Sequence, residues 1–338
     1  MQLLDDMNDC CRTRRTAPLT LAMLAATILT VAAPVPVQAQ SYPVKPIRTI
    51  MTVAGGLDIV ARMIAGGVGE ALGQPVIVEA QSGAGGAVGA DMVMRAAPDG
   101  YTLMLAGPQA LIVRKFLTRN TTYDVIRDFT PIGQVSETTA VIVVNPSLPV
   151  RSFAGLIDYA KKNPGKLSFG TSGIGTSHHF SAESITQRTG IQWLHVPYKG
   201  GPQVLTDLMS GQVQVGFSIL ATMLPFINAS DKIAILAINS ASRYPTIPNI
   251  PTVAEIIPGY QHPPAWNAYF GPAGLPQPIA RRLNAEMTRI INQPAARTRL
   301  QEIGFLPFTS TPEELAETIR RDVAAVGAMV QQLGLKPE

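Results

Sequence analysis

A chain of 338 residues exceeds what one hydrophobic core usually serves, so two domains are expected. Hydrophobic residues make up 46% and charged residues 15%, without low complexity or a short repeat, which excludes a disordered or fibrous chain and describes a globular one. The net charge of +4 is spread along the sequence, and its nearest cluster, Lys161, Lys162 and Lys166, reads as a solvated helix end rather than a nucleic-acid footprint.

Arg12, Arg14 and Arg15 precede an apolar or small-residue stretch from Ala17 to Ala33, and Val37-Gln38-Ala39 offers a cleavage site before Gln40. Residues 1–39 are therefore expected to be a secretory signal peptide. The stretch is short and broken by Pro34 and Pro36, which argues against a membrane anchor. Arg14-Arg15 lacks the apolar residues that follow a twin-arginine signal, and Asp5, Asp6 and Asp9 ahead of the arginines point to a start at Met7. Both cysteines, Cys10 and Cys11, fall in this segment, so the mature chain is expected to carry no disulfide, thiolate nucleophile or cysteine metal site. Cleavage removes three arginines and three aspartates and leaves the net charge at +4. No later apolar run approaches membrane-spanning length, so a soluble protein outside the cytoplasm is expected.

In the mature chain, β-branched runs alternate with amphipathic stretches, the pattern of α/β layers with mainly parallel strands. Ile47 to Val53 reads as a first strand; Asp58 reads as the N-cap of a helix whose apolar face is Ile59, Val60, Met63 and Ile64 and which stops at Gly73. Gly66, Gly67 and Gly69 weaken that helix. Strands follow at Val76–Val78 and Thr102–Leu105, with a glycine turn and a helix near Ala87–Ala97 between them, then at Ile132–Val135 and Val141–Val144. Phe153, Leu156, Ile157 and Ala160 have the spacing of one buried helical face. Leu167–Gly170, Val213–Phe217 and Ile233–Ile238 read as strands, and residues His178 to Arg188 and Val204 to Met209 as helices. A proline-rich crossover runs from Tyr244 to Pro264, and Thr311-Pro312-Glu313-Glu314 is a capping box opening a last helix with Leu315, Ile319, Val323, Val326 and Val330 on one face.

Three turns join a strand to a helix with glycine: Val53–Asp58, Ser82–Gly86 and the stretch SFGTSGIGTSHHF at 168–180. Glycine permits close backbone approach there, and the unpaired first-turn amides make an anion site. The last stretch fits no sharper motif: a Walker loop needs a lysine, a dinucleotide fingerprint needs glycine at His178, and a nucleophile elbow needs GxSxG. A secreted hydrolase using Ser172, a base among His178, His179 and His195, and Asp207 as the acid is the catalytic alternative. Adjacent His178 and His179 do not share a helix face, which argues against a metal; one of them caps or braces the loop. No cofactor is expected.

Six segments together carry a family resemblance: Tyr42-Pro43-Val44-Lys45-Pro46-Ile47-Arg48, Gly83-Ala84-Gly85-Gly86, Ala97-Pro98-Asp99-Gly100-Tyr101-Thr102-Leu103, Asn163-Pro164-Gly165-Lys166-Leu167, His195-Val196-Pro197-Tyr198-Lys199-Gly200-Gly201 and Pro251-Thr252-Val253-Ala254-Glu255. In that order they resemble the Bug receptors, the periplasmic solute-binding proteins of tripartite tricarboxylate transporters, from Tyr42 to about Leu335.

The resemblance implies a two-lobed α/β Venus-flytrap fold with mainly parallel sheets and two crossover strands, lobe 1 being residues 40–137 plus 246–338 and lobe 2 residues 138–245. It implies a non-enzymatic, monomeric receptor that takes a small organic carboxylate (a tricarboxylate, a dicarboxylate, an acidic amino acid or an aromatic acid) and hands it to membrane permease subunits. A sensor docking on a membrane kinase is the alternative from another class.

The family's two carboxylate-gripping loops match Val53, Ala54, Gly55, Gly56 and Asp58 in the first lobe and Thr171, Ser172, Gly173, Gly175, Thr176 and His179 in the second. Gln109 and Ser218, at strand ends, are candidates for the far end of the ligand. The first loop departs from the family's I-V-P-F-A-A-G-G-x-x-D by two missing residues and a missing proline. Trp266 either walls the cleft or packs at the hinge, and Tyr198 and Lys199 either touch ligand or serve structure.

Overall fold

The apolar runs Ile47–Met51 (β1), Val76–Ala80 (β2) and Thr102–Ala106 (β3) lie parallel because helices return the chain between them: Leu57–Leu72 (α1) after β1 and Ala87–Met94 (α2) after β2. This structure, a computed structural model, describes residues 42–53, 56–227 and 232–337, with Ile227 described by its backbone alone. The expected signal peptide and the loop residues Ala54 and Gly55 lie outside the described residues. A short helix, Arg114–Leu117 (α3), leads to the long strand Phe129–Thr138 (β4), and only Thr139 separates β4 from Ala140–Val144 (β5).

The elements Phe153–Lys162 (α4), Leu167–Thr171 (β6), Ser177–Thr189 (α5), Trp193–Pro197 (β7), Gly201–Ser210 (α6), Val215–Ile219 (β8), Leu220–Ile227 (α7) and Ala234–Asn239 (β9) follow in turn. Val253–Ile256 (α8), Trp266–Pro272 (β10), Gln277–Ile291 (α9), Pro294–Glu302 (α10), Phe305–Pro307 (β11) and Pro312–Gln332 (α11) complete the chain.

Two sheets result, one in each lobe: β11-β4-β10-β3-β1-β2 and β7-β6-β8-β5-β9. The α/β class and two-lobed architecture are as expected, but the sheets are mixed rather than mainly parallel, with four parallel and five antiparallel pairings among the described strands. The antiparallel pairs come from β5, β10 and β11, which run against the direction set by the β-α-β units, whereas β4 runs with β1 and β3 on the far side of β10. The first crossing is the nearly continuous strand β4–β5; the second is residues 240–265, whose six prolines cannot donate to a strand ladder and leave only α8 as regular structure.

Alternation along the strands places side chains on both faces of each sheet. Ile47, Met51, Leu103 and Leu105 pack with α1 and α9, whereas Ile50, Met104 and Ala106 pack with the α11 residues Leu315 and Ile319. In the second lobe Phe169, Phe217 and Ile142 pack with all four predicted α4 face residues, and Val141 and Val143 with Leu205 and Leu208 of α6. Each fully buried side chain of this size contributes about 1.5–3 kcal/mol. Gly67 and Gly69 admit close neighbours, since an added Cβ would lie 2.7 Å from Ile290 Cδ1 and 3.2 Å from the Gln74 carbonyl respectively. Gly66 faces open space, and nothing in the structure explains it.

In each sheet one parallel strand has the next two strands in sequence on opposite sides: β1 lies between β2 and β3, and β6 between β7 and β8. Helices diverge from the carboxyl end of such a strand, leaving a crevice where ligands bind in open α/β sheets. The loops after β1 and β6 are the two singled out by their glycines.

Candidate functional site

The loop between β6 and α5 is held by its own hydroxyls and by histidines. The Gly173 amide donates to Thr171 Oγ1 at 3.2 Å, and that hydroxyl lies 2.7 Å from His195 Nε2. Thr176 Oγ1 donates to the Gly173 carbonyl at 2.8 Å and caps α5 by accepting from the His179 amide at 3.3 Å. The Gly175 amide donates to His179 Nδ1 at 3.0 Å, so the ring proton of neutral His179 sits on Nε2. Ser172 Oγ lies 2.9 Å from His178 Nδ1. The amides of Gly173 and Gly175, both expected to face a ligand, are thus engaged inside the loop. The amides of Ser177 and His178, in the first turn of α5, have no acceptor within the helix, and both residues line a cavity.

Burial pushes His178 and His195 down to about 4, with the neighbouring His179 adding to the shift at His195, and lowers His179 as well. All three are neutral near pH 7. His179 and His195 stack at 4.4 Å between ring centroids, with Phe169 stacked on the other face of His195 at 4.9 Å. Glu183 Oε1 stands 3.7 Å from His179 Nε2, too far for a hydrogen bond, and burial raises its pKa. The histidines brace the loop as neutral hydrogen-bonding rings.

The hydrolase arrangement is incomplete. Ser172 and His178 touch, but Asp207 accepts from the Tyr198 hydroxyl at 2.7 Å on the α6 side, so Tyr198 also serves structure. A histidine with a pKa near 4 is a weak general base at neutral pH.

On the first lobe, Val53, Gly56 and Leu57 line the same cavity at the start of α1. Gly56, not Asp58, occupies the N-cap position, and the Asp58 carboxylate instead pairs with Arg62 one turn on at 2.7 Å. A Cβ on Gly56 would approach the Phe305 ring to 3.2 Å, so the missing side chain lets β11 close over the loop. Gln109 lines the cavity and joins the two lobes, its Nε2 donating to the Gly175 carbonyl at 3.5 Å.

The third glycine turn is not at the cavity. Arg114 Nη1 donates to the Ala84 carbonyl at 2.7 Å, and a Cβ on Gly86 (φ 94°) would meet Ala110 Cβ at 2.8 Å and the Thr52 carbonyl at 2.9 Å. Its glycines serve packing within the first lobe.

The cavity between the lobes measures about 200 Å³. Its polar lining is Gln109, Thr138, Ser177, His178, Asn239 and Asn267. Asn267 Nδ2 donates to Ser136 Oγ at 3.1 Å and Thr138 Oγ1 at 3.0 Å; Asn239 donates to Ser181 Oγ at 2.6 Å and accepts from the Tyr260 hydroxyl at 2.9 Å. Trp266 walls the cavity and also packs, with Nε1 donating to Asp322 Oδ2 at 2.9 Å. Ser218 is fully buried, its Oγ has no hydrogen-bond partner among the described residues, and its neighbour Ile219 is the residue that reaches the lining.

Of the expected site residues, then, Val53, Gly56 and Gln109 line the cavity. Thr171, Ser172, Gly173, Gly175, Thr176 and His179 shape the loop whose Ser177 and His178 line it. The reading missed Asn239, Asn267 and Thr138; a polar residue at the end of an apolar strand run beside a lobe crossing is the signal that could have found them.

A sequence profile described as the tripartite tricarboxylate transporter family receptor matches residues 60–335. Protein BugT of Bordetella pertussis is 32% identical over 320 residues, 94% of this chain and 98% of BugT. An R. palustris protein determined with adipate superposes with a TM-score of 0.79 at 30% identity, over 88% of this chain and 100% of that one. MatC from Rhodopseudomonas palustris with bound malate gives 0.72 at 28% identity, over 86% and 100%.

Proposed function

Because the chain belongs to the tripartite tricarboxylate transporter receptor family, we propose that it is a periplasmic solute-binding protein. It captures a small organic carboxylate between its lobes and delivers it to the membrane permease of such a transporter. Residues 1–39 direct its export. Residues 40–137 with 246–338 act as one lobe and 138–245 as the other, and the receptor works as a monomer without a covalent step.

The observation that carries this reading is the convergence of two helix N-termini, those of α1 and α5, on one interlobe cavity. First-turn amides carry partial positive charge and unpaired donors, a ready anion site. Burying a carboxylate costs several kcal/mol unless it is hydrogen-bonded, and each bond to a charged group returns roughly 1.5–3 kcal/mol. Three or four such donors offset the cost without a fixed cation, which leaves release to the permease possible when the lobes part. The ligand contacts are assigned to the loop Val53–Asp58, to the loop Thr171–His179 through the Ser177 and His178 amides, and to Gln109.

A thermal-shift and calorimetric screen of organic acids on the purified chain tests the proposal, with adipate and malate, the acids of the two R. palustris neighbours, at the head of the panel. An acid at 100 times its Kd adds about 2.7 kcal/mol of stability. Absence of any shift across mono-, di- and tricarboxylates would refute it.

A further inference from the structure

The cavity is lined in part by the first residues of α1 and α5, and the remainder has a different chemistry. Val113, Phe180, Trp266, Phe305 and Val326 line it together with Pro263 and Pro264. No lysine or arginine is among the described lining residues. The polar groups that reach this part already have partners: Asn239 through both its amide nitrogen and its oxygen, Asn267 through its nitrogen, and Trp266 through its indole N–H. His178, the one titratable group among the described lining residues, is neutral because burial holds its pKa near 4.

Resting on the carboxylate-receptor reading above, we infer that this receptor selects a monocarboxylate with an apolar body of about one ring or a short chain, over dicarboxylates, tricarboxylates and acidic amino acids. A second carboxylate would be stripped of water in the cavity with no counter-charge among the described lining residues and little beyond the second N–H of Asn239 and the Thr138 hydroxyl to replace its hydration. An apolar body instead meets aromatic and proline surfaces, which favour it in proportion to the area it removes from water. The volume of about 200 Å³ falls below the roughly 300–1,000 Å³ of sites for drug-sized molecules, so the body is small.

Calorimetric titration of the purified chain with benzoate, hexanoate, succinate, citrate, glutamate and the uncharged benzamide tests the inference. Benzoate or hexanoate is expected to bind at least tenfold more tightly than succinate, citrate or glutamate, and at least tenfold more tightly than benzamide. Tighter binding of succinate, citrate or glutamate would overturn the selectivity while leaving the carboxylate receptor intact. Equal binding of benzamide and benzoate, or no binding by any acid, would overturn both.

Discussion

Replacing Ser177 by proline removes one amide hydrogen from the centre of the site while leaving the helix that carries it. Ser177 is the first residue of α5, where proline is favoured because its missing N–H has no intrahelical acceptor. Thr176 before it already has φ −76° and ψ 161°, the extended geometry that a following proline requires. The substitution should therefore leave stability unchanged or raised by about 0.4–1 kcal/mol through the unfolded chain. Loss of one hydrogen bond to a carboxylate costs about 1.5–3 kcal/mol, which corresponds to roughly 10- to 150-fold in affinity. Ser177→Ala keeps the amide and loses only the hydroxyl, so it is the reference. Calorimetry with benzoate, or with the tightest acid from the screen, reads the ratio of the two variants alongside their melting temperatures. Ser177→Pro with the melting temperature of Ser177→Ala and an affinity within about twofold of it would refute the assignment of that amide to the ligand.

Gln109→Ala removes the hydrogen bond from its Nε2 to the Gly175 carbonyl across the cleft, a long one at 3.5 Å. About 0.5–1.5 kcal/mol of closed-state stability should go with it, seen as a two- to tenfold rise in Kd without loss of fold. Acid should destabilise the protein through His178, whose pKa is held near 4 in the folded state against 6.5 in the unfolded chain. The stability this represents is complete above pH 6.5 and is lost as pH falls to 4, by at most about 3 kcal/mol; denaturation of His178→Gln over that window should show a slope smaller by about one proton. Thr311→Ala removes the hydroxyl that accepts from the Glu314 amide in the capping box that starts α11 and should cost about 0.5–2 kcal/mol, lowering Tm by a few degrees while leaving ligand affinity unchanged.

Local chemistry made much of the fold legible. The Phe153, Leu156, Ile157 and Ala160 face of α4, the Gly73 stop of α1 and the Thr311 capping box all appear where periodicity and capping place them, because each is fixed by neighbours a turn away. β7 and β10 are not legible locally: Trp193–Pro197 is a half-exposed edge strand, and Trp266–Pro272 is recognisable only from its antiparallel partners β3 and β4, far away in sequence. The glycine loops pointed to the right end of the right strands, since the strand-order reversals at β1 and β6 coincide with them. Which amides face the cavity was not legible. It depends on His179 reaching back to Gly175 and on Thr171 meeting His195 from the adjacent strand, side-chain choices that glycine content does not encode. The same limit applies to Ser82–Gly86, where identical turn chemistry accommodates Arg114 instead of a ligand.

A crystal structure of the protein soaked with a bound acid at saturating concentration tests the central idea most directly. Both oxygens of the carboxylate should lie within about 3.1 Å of donors that include the Ser177 and His178 amides and the first turn of α1, with the acid enclosed between the lobes. A ligand whose carboxylate sits elsewhere, paired with a lysine or arginine outside this cavity, would contradict the account.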